Sequence, residues 1–175
     1  DSWVVYHHSN GAGKSMVLNS TTAVATNSNI FPTTPTSSVF YPGNTATTNS
    51  SSRSYIAYCF ADVKGFSKFS SYIGNGSTDG TFCYTGMKPA FVMIKATGSA
   101  DWYLIDNKRA TYNVMEASLK ANTSDAESTT IQDMDFLSNG FKPRSTSGST
   151  NGSGTTYIYM AFAEEPLVGD NPATA

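Results

Sequence analysis

Residues 11–15, Gly-Ala-Gly-Lys-Ser, follow a β-prone run and place a lysine and a hydroxyl directly after two glycines. A phosphate-binding loop uses these residue types because backbone N–H groups and a lysine together hold the phosphates of a nucleotide. That motif needs a glycine where this sequence has His8, and it needs a helix to follow. Residues 16–22 are poor helix formers, so we interpret residues 11–15 as a β-turn that carries a surface lysine.

His7 and His8 are the only histidines and therefore the only ordinary candidates for a neutral-pH base. Adjacent residues of a strand point to opposite faces, so we expect that the two rings do not share one metal ion. No Gly-x-Ser-x-Gly turn supplies a nucleophile for a hydrolytic triad. Structural or solvent-facing roles are the favoured interpretation for both histidines.

Two acidic pairs have the residue types of a glycosidase site. Asp133 and Asp135 share one face of an extended chain, and Glu164 and Glu165 follow the last strong apolar run. Nothing in the sequence sets a distance between two of these carboxylates, so we interpret them as solvated charges near strand ends. The sequence therefore predicts a non-enzymatic protein with no catalytic, cofactor-binding or metal-binding residues.

Composition limits the possible partners and compartments. The chain has 175 residues, of which 39% are hydrophobic but only 14% charged, and its net charge is −2. Such a surface lacks a basic stripe for nucleic acid, and no apolar run is long enough to span a membrane. Cys59 and Cys83 are predicted to be unpaired thiols because two cysteines make no disulfide framework. Five Asn-x-Ser/Thr triplets are attributed to chance: those at Asn19, Asn49, Asn75, Asn122 and Asn151.

A strand-like sequence occurs twice and organises the rest of the chain. Residues 54–62 (SYIAYCFAD) return as residues 156–164 (TYIYMAFAE), with Tyr, Ile, Phe and Ala in register. Both copies are rich in aromatic residues and bounded by polar residues, which predicts two equivalent central strands. Phe60 and Phe162 are accordingly expected to be core residues.

Other landmarks keep the same order. Trp3 matches Trp102, residues 17–19 match residues 119–122 loosely, and residues 39–40 fall where residues 139–141 do, all with similar offsets. We therefore predict an internal repeat. The first repeat covers residues 1–88 with connecting strands and lacks its N-terminal part, the second covers residues 89–175, and the two form one compact unit.

Local patterns predict the remaining elements. Strands are expected at residues 16–18, at 38–41 and within 63–73, the last followed by an Asn-Gly turn. Residues 90–95 and 101–106 are predicted to pair as a hairpin through residues 97–99. The region 110–132 is the one place where a helix of a turn or two is expected.

The chain opens within a β-prone run at residues 3–6, which suggests a fragment or a processed chain. The repeat predicts a pairing strand just before Asp1, and an uncovered apolar edge strand invites aggregation. We expect this strand to be paired on one side, with its other side facing upstream residues or another chain.

Five motifs together resemble a family of repeat modules near the C-termini of tailed-phage tail-fibre and other virion proteins. They lie at residues 55–61, 65–76, 89–95, 135–141 and 157–163 with Pro166. The resemblance implies a bacteriophage virion and supplies no catalytic residues; repeats of this family also look as if each begins with a Pro-Ala-Phe-Val strand.

The combined expectation is an all-β protein, an antiparallel β-sandwich of jelly-roll or lectin-like type built from two similar halves. The expected role is that of a tail-fibre module on the virion surface for host attachment, through a host cell-surface glycan or protein. Its partners would be other virion chains, in a homo-oligomer with a trimer favoured, without nucleic acid or membrane insertion. The alternatives are a capsid or tail decoration protein that serves assembly and, less favoured, a fibre-borne polysaccharide depolymerase.

Overall fold

The computed structural model describes residues 2–110, 112–130, 133–168 and 171–172. This part of the chain forms β-strands and no helix. The strands are β1 (Val4–Val5), β2 (Lys14–Val17), β3 (Ala25–Thr26), β4 (Ser67–Ile73), β5 (Cys83–Tyr84), β6 (Pro89–Ala96), β7 (Trp102–Asp106), β8 (Ser118–Lys120), β9 (Met134–Leu137), β10 (Gly140–Pro143), β11 (Thr156–Ala163), β12 (Leu167–Val168) and β13 (Asn171–Pro172).

The strands form four antiparallel sheets. The largest has five strands in the order β4-β11-β6-β7-β8, and two smaller sheets have the orders β1-β2-β3 and β5-β10-β9. Strands β12 and β13 pair with each other. Strand β11 lies between β4 and β6, with Tyr157 opposite Tyr72 on one side and Ala96 on the other.

The five-stranded sheet is the middle layer of the fold because apolar residues cover both of its faces. On one face, Tyr157 and Tyr159 of β11 pack in a core with Phe141 of β10. On the other face, Ile158 packs with Trp102 and with Met16 of β2. Successive residues of β11 thus enter different cores, which explains why its sequence is apolar on both faces.

Several predictions from the sequence are confirmed. The protein is all-β, and its antiparallel sheets agree with a β-sandwich. The strand expected at 16–18 corresponds to β2, and the strand expected within 63–73 is β4. The predicted hairpin is formed by β6 and β7, with Ile94 opposite Tyr103.

Three predictions are wrong. Residues 54–62 and 38–41 contain no strand, and residues 54–62 are all exposed. The region 110–132 contains strand β8 in place of a helix, within its described residues. Residues 54–62 have the composition of a central strand but no backbone partner, since no backbone–backbone hydrogen bond within the described chain involves them. Strand propensity alone does not form a strand, because the backbone needs a neighbouring edge to pair with.

The two tryptophan-led hairpins have matching backbone contacts. The Trp3 N–H donates to the Asn19 side-chain oxygen at 2.9 Å, and the Trp102 N–H donates to that of Asn122 at 2.8 Å. The Trp3 carbonyl accepts from the N–H of Leu18, just as the Trp102 carbonyl accepts from Ala121. The hairpins β1–β2 and β7–β8 therefore agree in register.

The agreement does not extend to the rest of the two halves. Trp102 is 4% exposed but Trp3 is 50% exposed, and the equivalence expected for residues 55–61 and 157–163 is wrong because only the second is a strand. The repeat division at residue 88 stays a prediction. Among the described residues, strand β1 has a partner on one edge only, namely β2, as expected for residues 3–6.

Truncation of a core phenylalanine tests this assignment of the core. Phe141 is fully buried, with its ring 5.0 Å from that of Tyr159, so Phe141→Ala should lower the free energy of unfolding by about 3–5 kcal/mol. Phe60 is 59% exposed, so the matched control Phe60→Ala should cost about 1 kcal/mol or less. Denaturant titration followed by circular dichroism measures both. Equal losses in the two variants would contradict the placement of Phe60 outside the core.

Candidate interaction surface

A run of large exposed side chains lies beside strand β1. We define the apolar strip as Trp3, Tyr55, Ile56, Tyr58 and Phe60, which are 42% to 74% exposed. The Trp3 and Tyr58 rings stack with their centroids 6.1 Å apart. Because Trp3 directly precedes β1, this contact places the rest of the strip beside β1. A monomer rarely leaves so many large apolar side chains together in water, and such patches commonly mark interaction sites.

Side-chain hydrogen bonds hold the strip at both ends. The Tyr55 hydroxyl donates to the Ala46 carbonyl at 2.7 Å and accepts from the Ser50 N–H at 2.8 Å. At the other end, the Ala61 carbonyl accepts from the Ser67 hydroxyl at 2.7 Å. The chain between these anchors is held in place without a ladder of its own.

A second aromatic group continues the strip onto the middle sheet. The Phe162 ring lies 5.9 to 6.2 Å from four other rings, and we call the five rings the Phe162 cluster. Its other members are Phe60, Phe66, Phe69 and Phe91. Phe162 is half-buried, so the sequence-based expectation that it is a core residue is met only in part. Phe60 belongs to both groups and connects them.

Polar side chains close the free edge of β4 next to this cluster. The Phe69 N–H donates to Asp62 at 2.7 Å, and the His8 ring nitrogen Nε2 donates to the Phe69 carbonyl at 2.7 Å. Asp62 also pairs with Lys68. Burial tends to raise the Asp62 pKa, but the bonds from Lys68 and Phe69 outweigh it and hold the pKa below its usual value. These contacts occupy backbone groups that an incoming strand would otherwise use.

His7 is buried, and its contacts require a neutral ring. Its Nδ1 accepts from the Ser9 N–H, so its Nε2 carries the proton and donates to the Tyr159 carbonyl at 3.2 Å. Burial lowers the His7 pKa from 6.5 to about 4, and His8 adds to this, while the bond to Tyr159 and the charge of Asp62 act against it. His7 therefore helps to attach the first hairpin to the middle sheet.

The two histidine rings stack at 5.0 Å, so the expectation that they point to opposite faces is wrong. The chain leaves β1 at Val5, and neither histidine lies in a strand. Within the described residues, no group of three or more His, Cys, Asp or Glu side chains is arranged to hold a metal ion.

Residues 11–13 lie in a turn that leads into β2, as the sequence predicted, but Lys14 and Ser15 belong to the strand. Gly11 and Gly13 have φ angles of +84° and +72°, which other residues rarely adopt. Lys14 is the first residue of β2 and is exposed.

The two acidic pairs have separate roles. Asp135 is buried and paired with Arg144 at 2.6 Å, so its interpretation as a solvated charge is wrong. Glu164 pairs with Lys88 and accepts from the Asn107 amide, while Glu165 is exposed. The Lys88–Glu164 pair lines a depression of about 420 Å³ together with Gly65, Gly86, Met87 and Glu165.

The two cysteines differ in exposure. Cys59 and Cys83 are both free thiols, as predicted; Cys83 is buried in β5, whereas Cys59 is exposed with the rest of residues 54–62.

Lys95 of β6 is fully buried and was not singled out by the sequence. Its amine donates to the carbonyls of Ala96 and Gly98, each at 2.8 Å, and burial lowers its pKa to about 8 although Asp101 opposes this. Lys95 thus fixes the turn between β6 and β7.

Comparison with known proteins gives one match. A family model described as a domain of unknown function, DUF7483, matches residues 1–166. The chain belongs to this family. No curated protein and no solved structure matches it. The described part of the chain contains no helix that is long and apolar enough to cross a membrane.

Sequence reasoning missed the apolar strip because it assigned residues 54–62 to the core. The available signal was the missing neighbour of residues 3–6, which the repeat itself predicted. In the second half, β6 pairs with both β7 and β11. By analogy, residues 3–6 and residues 54–62 of the first half would need one shared strand between them.

The His7 ring makes stability depend on pH. Its folded-state pKa lies below the unfolded value, so protonation favours the unfolded chain and stability falls as the pH drops below 6.5. Between about pH 7 and pH 4.5 the loss should be about 2–3 kcal/mol. Denaturant midpoints across this range, measured for the unaltered chain and for His7→Gln, check the effect.

The variant should show a much smaller fall, and the control His8→Gln should keep most of the fall, because burial is the larger cause of the His7 shift and His8 a smaller one. If His7→Gln retained the same pH dependence as the unaltered chain, another group would be responsible.

Proposed function

We propose that this chain is a non-enzymatic interaction module of a bacteriophage virion and that its apolar strip binds another chain of the particle. The resemblance of five motifs to virion repeat modules supports the setting. The strip is the observation that carries the interaction role. The proposed location is the virion surface, and the proposed assembly is a homo-oligomer, with a trimer favoured.

The strip has the composition of an interface. It contains one tryptophan and two tyrosines, and aromatic residues of these types are enriched at the centres of protein interfaces. Removing a fully exposed large apolar side chain from water contributes about 1.5–3 kcal/mol. The five side chains of the strip are 42% to 74% exposed, so each supplies roughly half of that amount or somewhat more. Their sum is comparable with the lower estimates of the cost of association.

The strip changes the order of the two leading hypotheses. Sequence alone favoured host attachment over assembly. A strip of aromatic and aliphatic side chains without charged residues favours contact with another protein, so assembly is the first proposal. Attachment to a host glycan or protein is the second, and the exposed Tyr112 supports it because loop tyrosines are frequent recognition residues.

A depolymerase role has little support in the geometry. One member of each acidic pair is engaged by a cation, Asp135 by Arg144 and Glu164 by Lys88. Incubation with host surface polysaccharide and an assay for reducing ends tests this directly, and we expect no release.

Substitution within the strip tests the assembly proposal. We expect the unaltered chain to self-associate, and Ile56→Ser with Tyr58→Ser to weaken that association at least about tenfold, because these residues are 74% and 69% exposed. Sedimentation equilibrium over a range of protein concentrations measures the change. Circular dichroism should show an unchanged fold.

Tyr112→Ser is the matched control, since Tyr112 is 84% exposed but lies outside the strip. It should leave association unchanged. Equal effects of the two substitutions would count against the strip, and loss of host-cell adsorption only in Tyr112→Ser would favour attachment.

A further inference from the structure

The open edge of β1 has a filled counterpart elsewhere in the same molecule. Trp3 and Trp102 begin hairpins with the same backbone contacts, and Asn19 and Asn122 occupy equivalent positions. Strand β7 has neighbours on both edges, β6 and β8. Strand β1 has only β2, the equivalent of β8, so the position of a β6 equivalent is empty.

The other neighbour of β6 also has a counterpart. Strand β6 pairs with β11, and residues 54–62 match residues 156–164 in sequence. Residues 54–62 lie next to β1, where Tyr58 stacks on Trp3. Residues 54–62 do not form a strand, but their sequence match to β11 places the counterpart of β6 between them and β1. We call this position the strand slot.

The backbone around the slot is ready for pairing. All nine residues from 54 to 62 are exposed, and none takes part in a backbone–backbone hydrogen bond within the described chain. Their side chains are those of a central strand, yet each residue is exposed. Exposed, unpaired segments of this composition are favourable templates for an added strand.

We propose that the strand slot binds one extended segment of another chain of the assembly, apolar on both faces as Phe91–Ile94 is. The segment pairs with β1 on one edge and with residues 54–62 on the other, and residues 54–62 then become a strand. This deepens the proposed interaction role by naming the partner as a β-strand.

Strand β6 defines what the incoming segment should contain. Val92 and Ile94 face one core and Phe91 and Met93 face the opposite side, so the pattern is apolar on both faces. A segment with this pattern has a face for the middle sheet and a face for the apolar strip. Segments with a charge or a proline at the positions of Phe91–Ile94 do not fit, because those positions need continuous backbone donors and apolar side chains.

A tethered copy of β6 tests the slot at high effective concentration. The sequence of residues 88–100 is fused ahead of Asp1, so that it meets the first hairpin much as residues 88–100 meet the second. Hydrogen exchange of the amides of residues 55–61 is then compared with the unaltered chain. We expect exchange to slow at least about a hundredfold, as it does when exposed backbone enters a sheet.

The control carries the same fusion with proline in place of the copied Val92 and Ile94. It should leave residues 55–61 unprotected. Protection of residues 157–162 serves as a folding check and should be equal in all three proteins. Protection of the original residues 91–95, at their own place in the chain, shows that the copy has not replaced β6.

Each result bears on the inference. Protection by the native copy alone supports it, and failure of the native copy to protect residues 55–61 overturns it. If the unaltered chain instead dimerises with protection at Val4 and Val5 but not at residues 55–61, two β1 edges pair with each other and the inference is also wrong. Self-association through Tyr58 without protection by the copy would leave the proposed function standing while this inference fails.

Discussion

The hydrogen-bond ladder of β11 is the interaction on which the rest of the structure depends. This strand pairs along its length with β4 and β6 and sends alternate side chains into two different cores. Tyr157 and Tyr159 contact one outer sheet, and Ile158 contacts the other. Both outer layers are held to the middle sheet by residues of this one strand, and His7 adds a bond to its Tyr159 carbonyl.

Edge protection divides the molecule into a closed side and an open side. On the closed side, Asp62 and His8 occupy the free backbone groups of Phe69 on β4. On the open side, β1 has no such cover, and the apolar strip lies beside it. Side chains that block one edge and leave another free direct pairing to a single place.

The proposed function and the strand slot share this open side. Aromatic side chains in the strip supply apolar area, and the unpaired backbone supplies direction and register, which area alone does not. Tyr58 contributes to the apolar area, and the edge of β1 contributes to the direction and register of pairing. A partner that uses both would bind with a defined orientation.

The sequence by itself determined the all-β class, the β6–β7 hairpin, strands β2 and β4, and the correspondence between Trp3 and Trp102. These follow from local patterns of apolar and turn residues, which act over a few positions. It placed no interaction surface, and it put residues 54–62 in the core because their sequence resembles that of β11. Only the tertiary structure decided between the two segments. Strand β11 pairs with β4 and β6, whereas residues 54–62 pair with no strand of the described chain. A strand forms only where its backbone groups have a hydrogen-bonding partner.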